Sequence, residues 1–224
     1  MKGDLMVNSY EKEFIRLLEE QKFKIGVRTL FNDFCRCVLC GICSPISNDS
    51  DRWENEYQKI VSQYPGYGAL IAELLGNLLA AMEQEPFTDI LGRIYMKLDM
   101  GNGSLSQVFT PSCISALCGK MVFDENTHEK LANGEVITLS DCCVGSGGMM
   151  LSYAGLIHEA GYNPQTQLRI TCNDIDSLCV AMAYIQLTFS GLKACIWCGD
   201  TFSQEPRECF YTPFWFVPDD LDRR

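Results

Sequence analysis

The sequence predicts an α/β protein, with a helical amino-terminal region followed by a parallel-sheet unit. Three observations carry this reading. Residues 10–98 repeat apolar side chains at helix spacing, short β-rich runs alternate with helical stretches beyond residue 104, and a glycine-rich turn follows the first of those runs. The 224 residues suffice for one large domain, or for a helical segment plus a compact α/β unit. With 47% hydrophobic and 21% charged residues, the composition is that of a globular chain rather than a disordered one.

In chain order, Phe14, Leu17 and Leu18 mark a first helix and Val27, Leu30, Phe31 and Phe34 a second, followed by Tyr57, Ile60, Val61 and Tyr64. Loops are expected at 44–51 and at Tyr64-Pro65-Gly66, then an apolar helix over 67–82 and another over 87–98. Met100-Gly101-Asn102-Gly103-Ser104 reads as a linker, dividing a helical region, 1–100, from an α/β domain, 104–224. Thr110-Pro111-Ser112 is a helix start, with Thr110 as the cap and Pro111 in the first helical position. Val136-Ile137-Thr138-Leu139 reads as a buried strand, and 145–161 as a glycine turn feeding a helix. A second strand at 168–172, a helix at 177–190 and a third strand at 194–198 follow. The alternation makes the sheet parallel.

Charge narrows the partners. Eighteen basic against twenty-nine acidic residues give a net charge of −11, which disfavours unaided nucleic-acid binding and suits a basic partner or a small-molecule ligand. No window holds the roughly 18 unbroken apolar residues of a membrane span. Asp4, Glu11 and Glu13 are unlike a signal peptide, so a cytoplasmic protein with no membrane partner is expected. The thirteen cysteines then read as reduced thiols packing as small hydrophobes. Cys35, Cys37, Cys40 and Cys43 do not converge on one helix face, and Cys195 and Cys198 lie on a strand, so no metal is assigned. His128 and His158 are the only histidines, which gives a His-based nucleophilic triad little support.

The chemistry concentrates in Asp141-Cys142-Cys143-Val144-Gly145-Ser146-Gly147-Gly148, between a strand and a helix. Glycines there let the backbone approach a ligand closely. The second strand ends in Asn173-Asp174-Ile175-Asp176 and the third in Gly199-Asp200, which puts acids at the carboxyl ends of three neighbouring strands. The loop has no lysine, which argues against a nucleotide triphosphatase, and Asp141 repels the pyrophosphate of NAD. A cationic, phosphate-free adenosine such as S-adenosylmethionine suits this setting.

Ser106-Gln107-Val108-Phe109-Thr110-Pro111, the Asp141–Gly148 turn, Asp174-Ile175-Asp176 and Gly199-Asp200-Thr201 occur in an order that resembles the adenine-N6 DNA methyltransferases. The similarity, over residues 87–202, is greatest to the methylation subunit of type I restriction systems. It implies an incomplete Rossmann-like methyltransferase core, of three strands or slightly more, and S-adenosylmethionine as cofactor. It implies that Gln107, Phe109, Thr110 and Pro111 lie over the methionine moiety, that Asp141, Gly145 and Gly147 surround the amino-acid end, and that Ser146 also belongs to the cofactor site. Asp174 then matches the ribose-binding acid, with Asp176 as the alternative, and Asp200 the residue near the adenine amino group.

The chain departs from the family at Ser106, at Cys142 and, above all, in having no asparagine after Asn173, so the Asn-Pro-Pro-aromatic catalytic loop is missing. Thr212-Pro213-Phe214-Trp215 is its nearest counterpart, and an apolar tail packed on the sheet is the plainer reading of it. Only 24 residues follow Asp200 in a chain of 224, too few to complete such a sheet. Residues 209–217 are therefore expected to shield the open edge of the first strand or to dock a partner there. Two readings stay open. One is a methyltransferase that either uses a degenerate loop or is completed by a second polypeptide, such as a methylation or specificity subunit, and that reaches DNA only through a partner and is inactive as an isolated chain. The other is a shortened cofactor-binding or scaffold module, an accessory or decoy in a restriction or mobile-element setting.

Overall fold

The computed structural model describes residues 8–98, 100, 108–203 and 205–218. Gln107 and, apart from Met100, the expected linker lie outside the described residues. The chain forms two compact units, Met1–Pro86 with Arg93–Ser106, and Phe87–Gly92 with Gln107–Arg224. Phe87–Gly92 thus groups with the second unit, although periodicity alone joins it to the preceding helices.

The first unit contains α1 (Ser9–Glu20), α2 (Val27–Cys43), α3 (Ser50–Val61), α4 (Tyr67–Gln84) and most of α5 (Ile90–Lys97). Asn8 caps α1 by accepting from the Glu11 amide at 2.8 Å. Its side-chain amide donates to the Ala81 carbonyl at 3.2 Å and to Glu85 at 3.0 Å, tying the start of α1 to the end of α4. Phe14 meets Phe34 edge-on, with centroids 5.1 Å apart, beside buried Leu18, Leu30, Leu74 and Leu78. Cys35, Cys37, Cys40 and Cys43 are all buried. Burial pushes the Cys37 and Cys40 thiols up to about 12, so they pack as neutral groups.

The second unit continues with α6 (Ser112–Val122), α7 (Glu125–Ala132), β1 (Ile137–Asp141), α8 (Gly148–Glu159), α9 (Pro164–Gln167), β2 (Leu168–Asp174), α10 (Ser177–Phe189), β3 (Lys193–Asp200) and β4 (Glu205–Tyr211). A 3-10 turn, Pro213–Phe216, follows. The strand order is β1-β2-β3-β4, with the first three parallel and β4 antiparallel to β3. Right-handed crossovers advancing in one direction put α8 and α10 on the same face of the sheet. α10 is buried from Cys179 to Thr188, and Leu168, Ile170 and Cys172 of β2 are buried in alternation. Thr138, Ser140 and Thr171, on the other face, are exposed.

Three expectations need correction. Pro111 is the N-cap of α6 rather than its first helical residue, and no side chain, that of Thr110 included, caps the helix. The reason is that the proline ring fixes φ but not ψ, and ψ here is 143°. β4 adds a fourth strand that its proline and its charges concealed. Finally, residues 209–217 do not cover the edge of β1. The short link from Asp200 to Glu205 favours a hairpin with the nearest strand, so β4 covers β3, and β1 pairs only with β2 among the described residues. No helix among the described residues is long and apolar enough to cross a membrane.

Candidate functional site

The glycine turn sits between the tip of β1 and α8. Gly147, at φ 92° and ψ 8°, is the N-cap of α8, and Gly145 has φ 56°. Both are in the left-handed region that favours glycine. A Cβ on Gly145 would stand 3.1 Å from the Phe109 ring. Asp174 Oδ2 accepts from the Gly145 amide at 2.9 Å, and the Asn173 carbonyl accepts from the Val144 amide at 2.9 Å, so the tip of β2 holds the turn. Asp141 Oδ1 accepts from the Cys143 amide at 2.9 Å. Asp141 Oδ2 is buried and has no hydrogen-bond partner among the described residues. A desolvated carboxylate oxygen in that state calls for a donor.

A polar network anchors the turn from the α8 side. Ser146 Oγ donates to Asp89 Oδ2 at 2.5 Å. Gln186 Nε2 donates to Asp89 Oδ1 and to the Ser146 carbonyl, both at 2.8 Å, while Gln186 Oε1 accepts from the Leu91 amide at 3.0 Å. The sequence reading singled out neither Asp89 nor Gln186. The available signal was Gln186 itself, an amide in the otherwise apolar run of α10.

Two hollows flank the strand tips. The smaller, about 80 Å³, is lined by Asp89, Phe109, Thr110, Gly145, Ser146 and Met149, among others. The larger, about 360 Å³, includes Asn173, Trp197, Asp200, Thr201 and Glu205. Among the described residues no lysine or arginine lines either. Asn173 Nδ2 donates to Thr201 Oγ1 at 2.8 Å, and Thr201 Oγ1 donates to the Cys142 carbonyl at 2.7 Å, clamping the carboxyl ends of three strands together. Sequence reasoning missed this clamp as well. Asp174 Oδ1 accepts from the Asp176 amide at 2.9 Å, and Asp200 Oδ1 from the Phe202 amide at 2.9 Å. One N–H per oxygen leaves lone pairs for further donors. Ile175 projects an apolar side chain at the tip of β2, 65% exposed.

The expected site residues thus separate. Phe109, Thr110, Gly145 and Ser146 gather around the small hollow, and Asp141, Gly147 and Asp174 frame the turn. Asp200 belongs to the large hollow. Pro111 serves as a helix cap, and Asp176 caps α10 by accepting from the Leu178 amide at 2.8 Å. Thr212, Pro213, Phe214 and Trp215 stand elsewhere, which corrects their candidacy as a catalytic loop. Thr212 is fully buried. Its Oγ1 donates to the Leu192 carbonyl at 2.7 Å and accepts from the Ala194 amide at 2.9 Å. From Ala194 to Asp200, at about 3.3 Å per residue, is about 20 Å, so these residues sit at the wrong end of β3. Trp215 there stacks under the Arg169 guanidinium, 5.4 Å from the ring centroid.

The partnerless oxygen of Asp141, the bulk-free turn and the absence of lining cations fit a positively charged nucleoside. A phosphorylated one fits poorly. Among the described residues no three His, Cys, Asp or Glu side chains are grouped to hold a metal ion.

Residues 87–214 match the family model described as N-6 DNA Methylase. A Listeria monocytogenes protein assigned to the class I S-adenosylmethionine-dependent methyltransferases superposes with a TM-score of 0.52 at 13% identity, over 88% of this chain and 55% of that one. The methyltransferase subunit of a type I restriction-modification system from Streptococcus thermophilus gives a TM-score of 0.46 at 14% identity, over 88% and 41%. The chain therefore spans about half the length of these solved relatives, 55% and 41%. No curated protein matches the sequence.

Proposed function

The chain belongs to the N-6 DNA methylase family, and from that premise we propose that its α/β unit binds S-adenosylmethionine and serves adenine-N6 methylation of DNA together with polypeptide beyond these 224 residues. The observation that carries the cofactor reading is Asp141 Oδ2, buried beside the glycine turn without a donor among the described residues. The cofactor's ammonium group is such a donor. The lone pairs left on Asp174 suit ribose hydroxyls, Asp200 suits the adenine amino group, and exposed Ile175 suits the face of the base. When bound, the cofactor supplies an activated methyl group on a sulfonium. The chain's own part is to orient it and to keep phosphorylated nucleotides out.

Transfer to adenine also requires acceptors for the target amino group and a ring to stack on the extruded base. The Thr212–Trp215 segment is remote from the acidic tips, so in this reading those groups come from a methylation or specificity subunit, which also contacts the DNA. The same remoteness, with the net charge of −11, favours the second reading, a cofactor-binding accessory or decoy module.

Calorimetric titration with S-adenosylmethionine, run beside a methyl-transfer assay on duplex DNA, separates the possibilities. Binding without turnover by the chain alone is expected. Asp141→Asn should weaken binding by about tenfold or more, roughly 1.4 kcal/mol, with the far-ultraviolet dichroism unchanged. Equal affinity in the variant would overturn the cofactor reading, and turnover by the chain alone would overturn the need for a partner.

A further inference from the structure

Cys195 of β3 lies opposite Tyr211 of β4, and Trp197 lies opposite Cys209. Residues two apart along a strand share a face, so these four side chains form one patch. Thr171, which pairs with Cys195 on that face, is exposed, as is Cys209, while Cys195 is 6% exposed. The two sulfurs are 3.3 Å apart, both thiols are free, and the Trp197 indole N–H donates to Cys195 Sγ at 3.1 Å.

Most buried cysteines of this chain have thiols pushed up by desolvation, Cys35 and Cys172 among them. Cys195 moves the opposite way, because its hydrogen bond with Cys209 and then the Trp197 N–H donated to its sulfur outweigh burial. Cys209 moves up, since its hydrogen bond to Cys195 holds the proton on it. The geometry sets the two sulfurs apart: the indole N–H donates to the inner one, which favours a thiolate there, and the outer one is exposed, which is the arrangement of a nucleophile beside a resolving cysteine.

We propose that Cys195 and Cys209 form a redox site in which a peroxide drives a reversible disulfide between β3 and β4. The Cys195 thiolate attacks one oxygen of hydrogen peroxide, the O–O bond breaks, and hydroxide leaves, taking up a proton to become water. The Cys195 sulfenic acid is then attacked by Cys209 sulfur, whose proton leaves with the displaced hydroxide as a second water. Two thiols lose two electrons and the peroxide gains them. Closing the gap to the ~2.05 Å of a disulfide needs an approach of about 1.3 Å. β4 is the edge strand of the sheet and can supply that movement. β4 also contributes Glu205 and Pro206 to the large hollow, and Arg207 donates to the Ile175 carbonyl, so the link fixes one wall of that hollow. This inference rests on the thiol geometry alone, independently of cofactor binding.

The test uses the full chain, treated with equimolar hydrogen peroxide, blocked with N-ethylmaleimide, digested and mapped by mass spectrometry. A cross-linked pair of peptides containing Cys195 and Cys209, released by dithiothreitol, should be the first disulfide to appear. In Cys209→Ser, dimedone should instead trap a sulfenic acid on Cys195. Trp197→Phe should slow formation of the link by about fivefold, the effect of losing one hydrogen bond to the thiolate. If Cys195 and Cys209 both remain reduced while the exposed neighbours Cys142 and Cys143 are oxidised, the proposal fails. It fails equally if Cys209→Ser leaves Cys195 unlabelled by dimedone.

Discussion

Asp141 and Gln186 show two ways in which a polar atom is used inside this fold. Gln186 is fully buried, and its amide meets Asp89, the Ser146 carbonyl and the Leu91 amide. Replacing it by leucine keeps the volume but strands those partners. Gln186→Leu should therefore destabilise the chain by about 1–3 kcal/mol in urea unfolding, and should weaken S-adenosylmethionine binding because the turn loses its anchor. Asp141 has the opposite character, with one oxygen that no group among the described residues satisfies. The glycine turn and the carboxyl-end acids were legible because a short contiguous motif encodes them. The Asp89–Gln186 bond was not, since it joins residues 97 apart, and local pattern says nothing about such pairs.

Among the elements, β4 is the one that local pattern hid. Pro206 and the charges at Glu205, Arg207 and Glu208 suit an exposed edge but score poorly as a strand, and only Phe210 is buried. What holds the far end of β4 is Thr212, whose hydroxyl substitutes for a ladder bond at Leu192 and Ala194. Thr212→Val should cost about 1–3 kcal/mol in chemical denaturation while leaving cofactor affinity unchanged, since the strand tips are about 20 Å away. α3 supplies a different test. The Arg36 guanidinium, through its hydrogen bonds, holds the Glu56 carboxyl below the usual carboxylate range. A carboxyl with a depressed folded-state pKa stabilises above its unfolded value, near 4.5, and that contribution is lost as pH falls through the folded value. The Arg36–Glu56 pair is only partly buried, so the effect is small. Arg36→Met should flatten the decline in melting temperature between about pH 5 and pH 3, read by thermal denaturation.

For the molecule as a whole, the strand-helix alternation predicted the parallel core because short β-rich runs recur between helices, β3 buried along most of its length and β2 at alternate residues. Where one unit gives way to the other was harder to read. The family match begins at residue 87, where the second unit's first segment also begins, although the apolar helix pattern over 87–98 reads as one more helix of the preceding region. Net charge makes a claim at this scale too. With −11 overall, the chain alone should not retard duplex DNA in a gel shift at about 0.15 M salt. Retention there would remove the argument that DNA is reached through a partner.

The hydrogen bond from Ser146 to Asp89 has a practical corollary for anyone dissecting this polypeptide. A fragment cut at the glycine-rich stretch near residue 100 would retain every recognised motif yet discard Asp89, leaving the Ser146 hydroxyl and the Gln186 amide without their acceptor. The scissors belong ahead of Phe87.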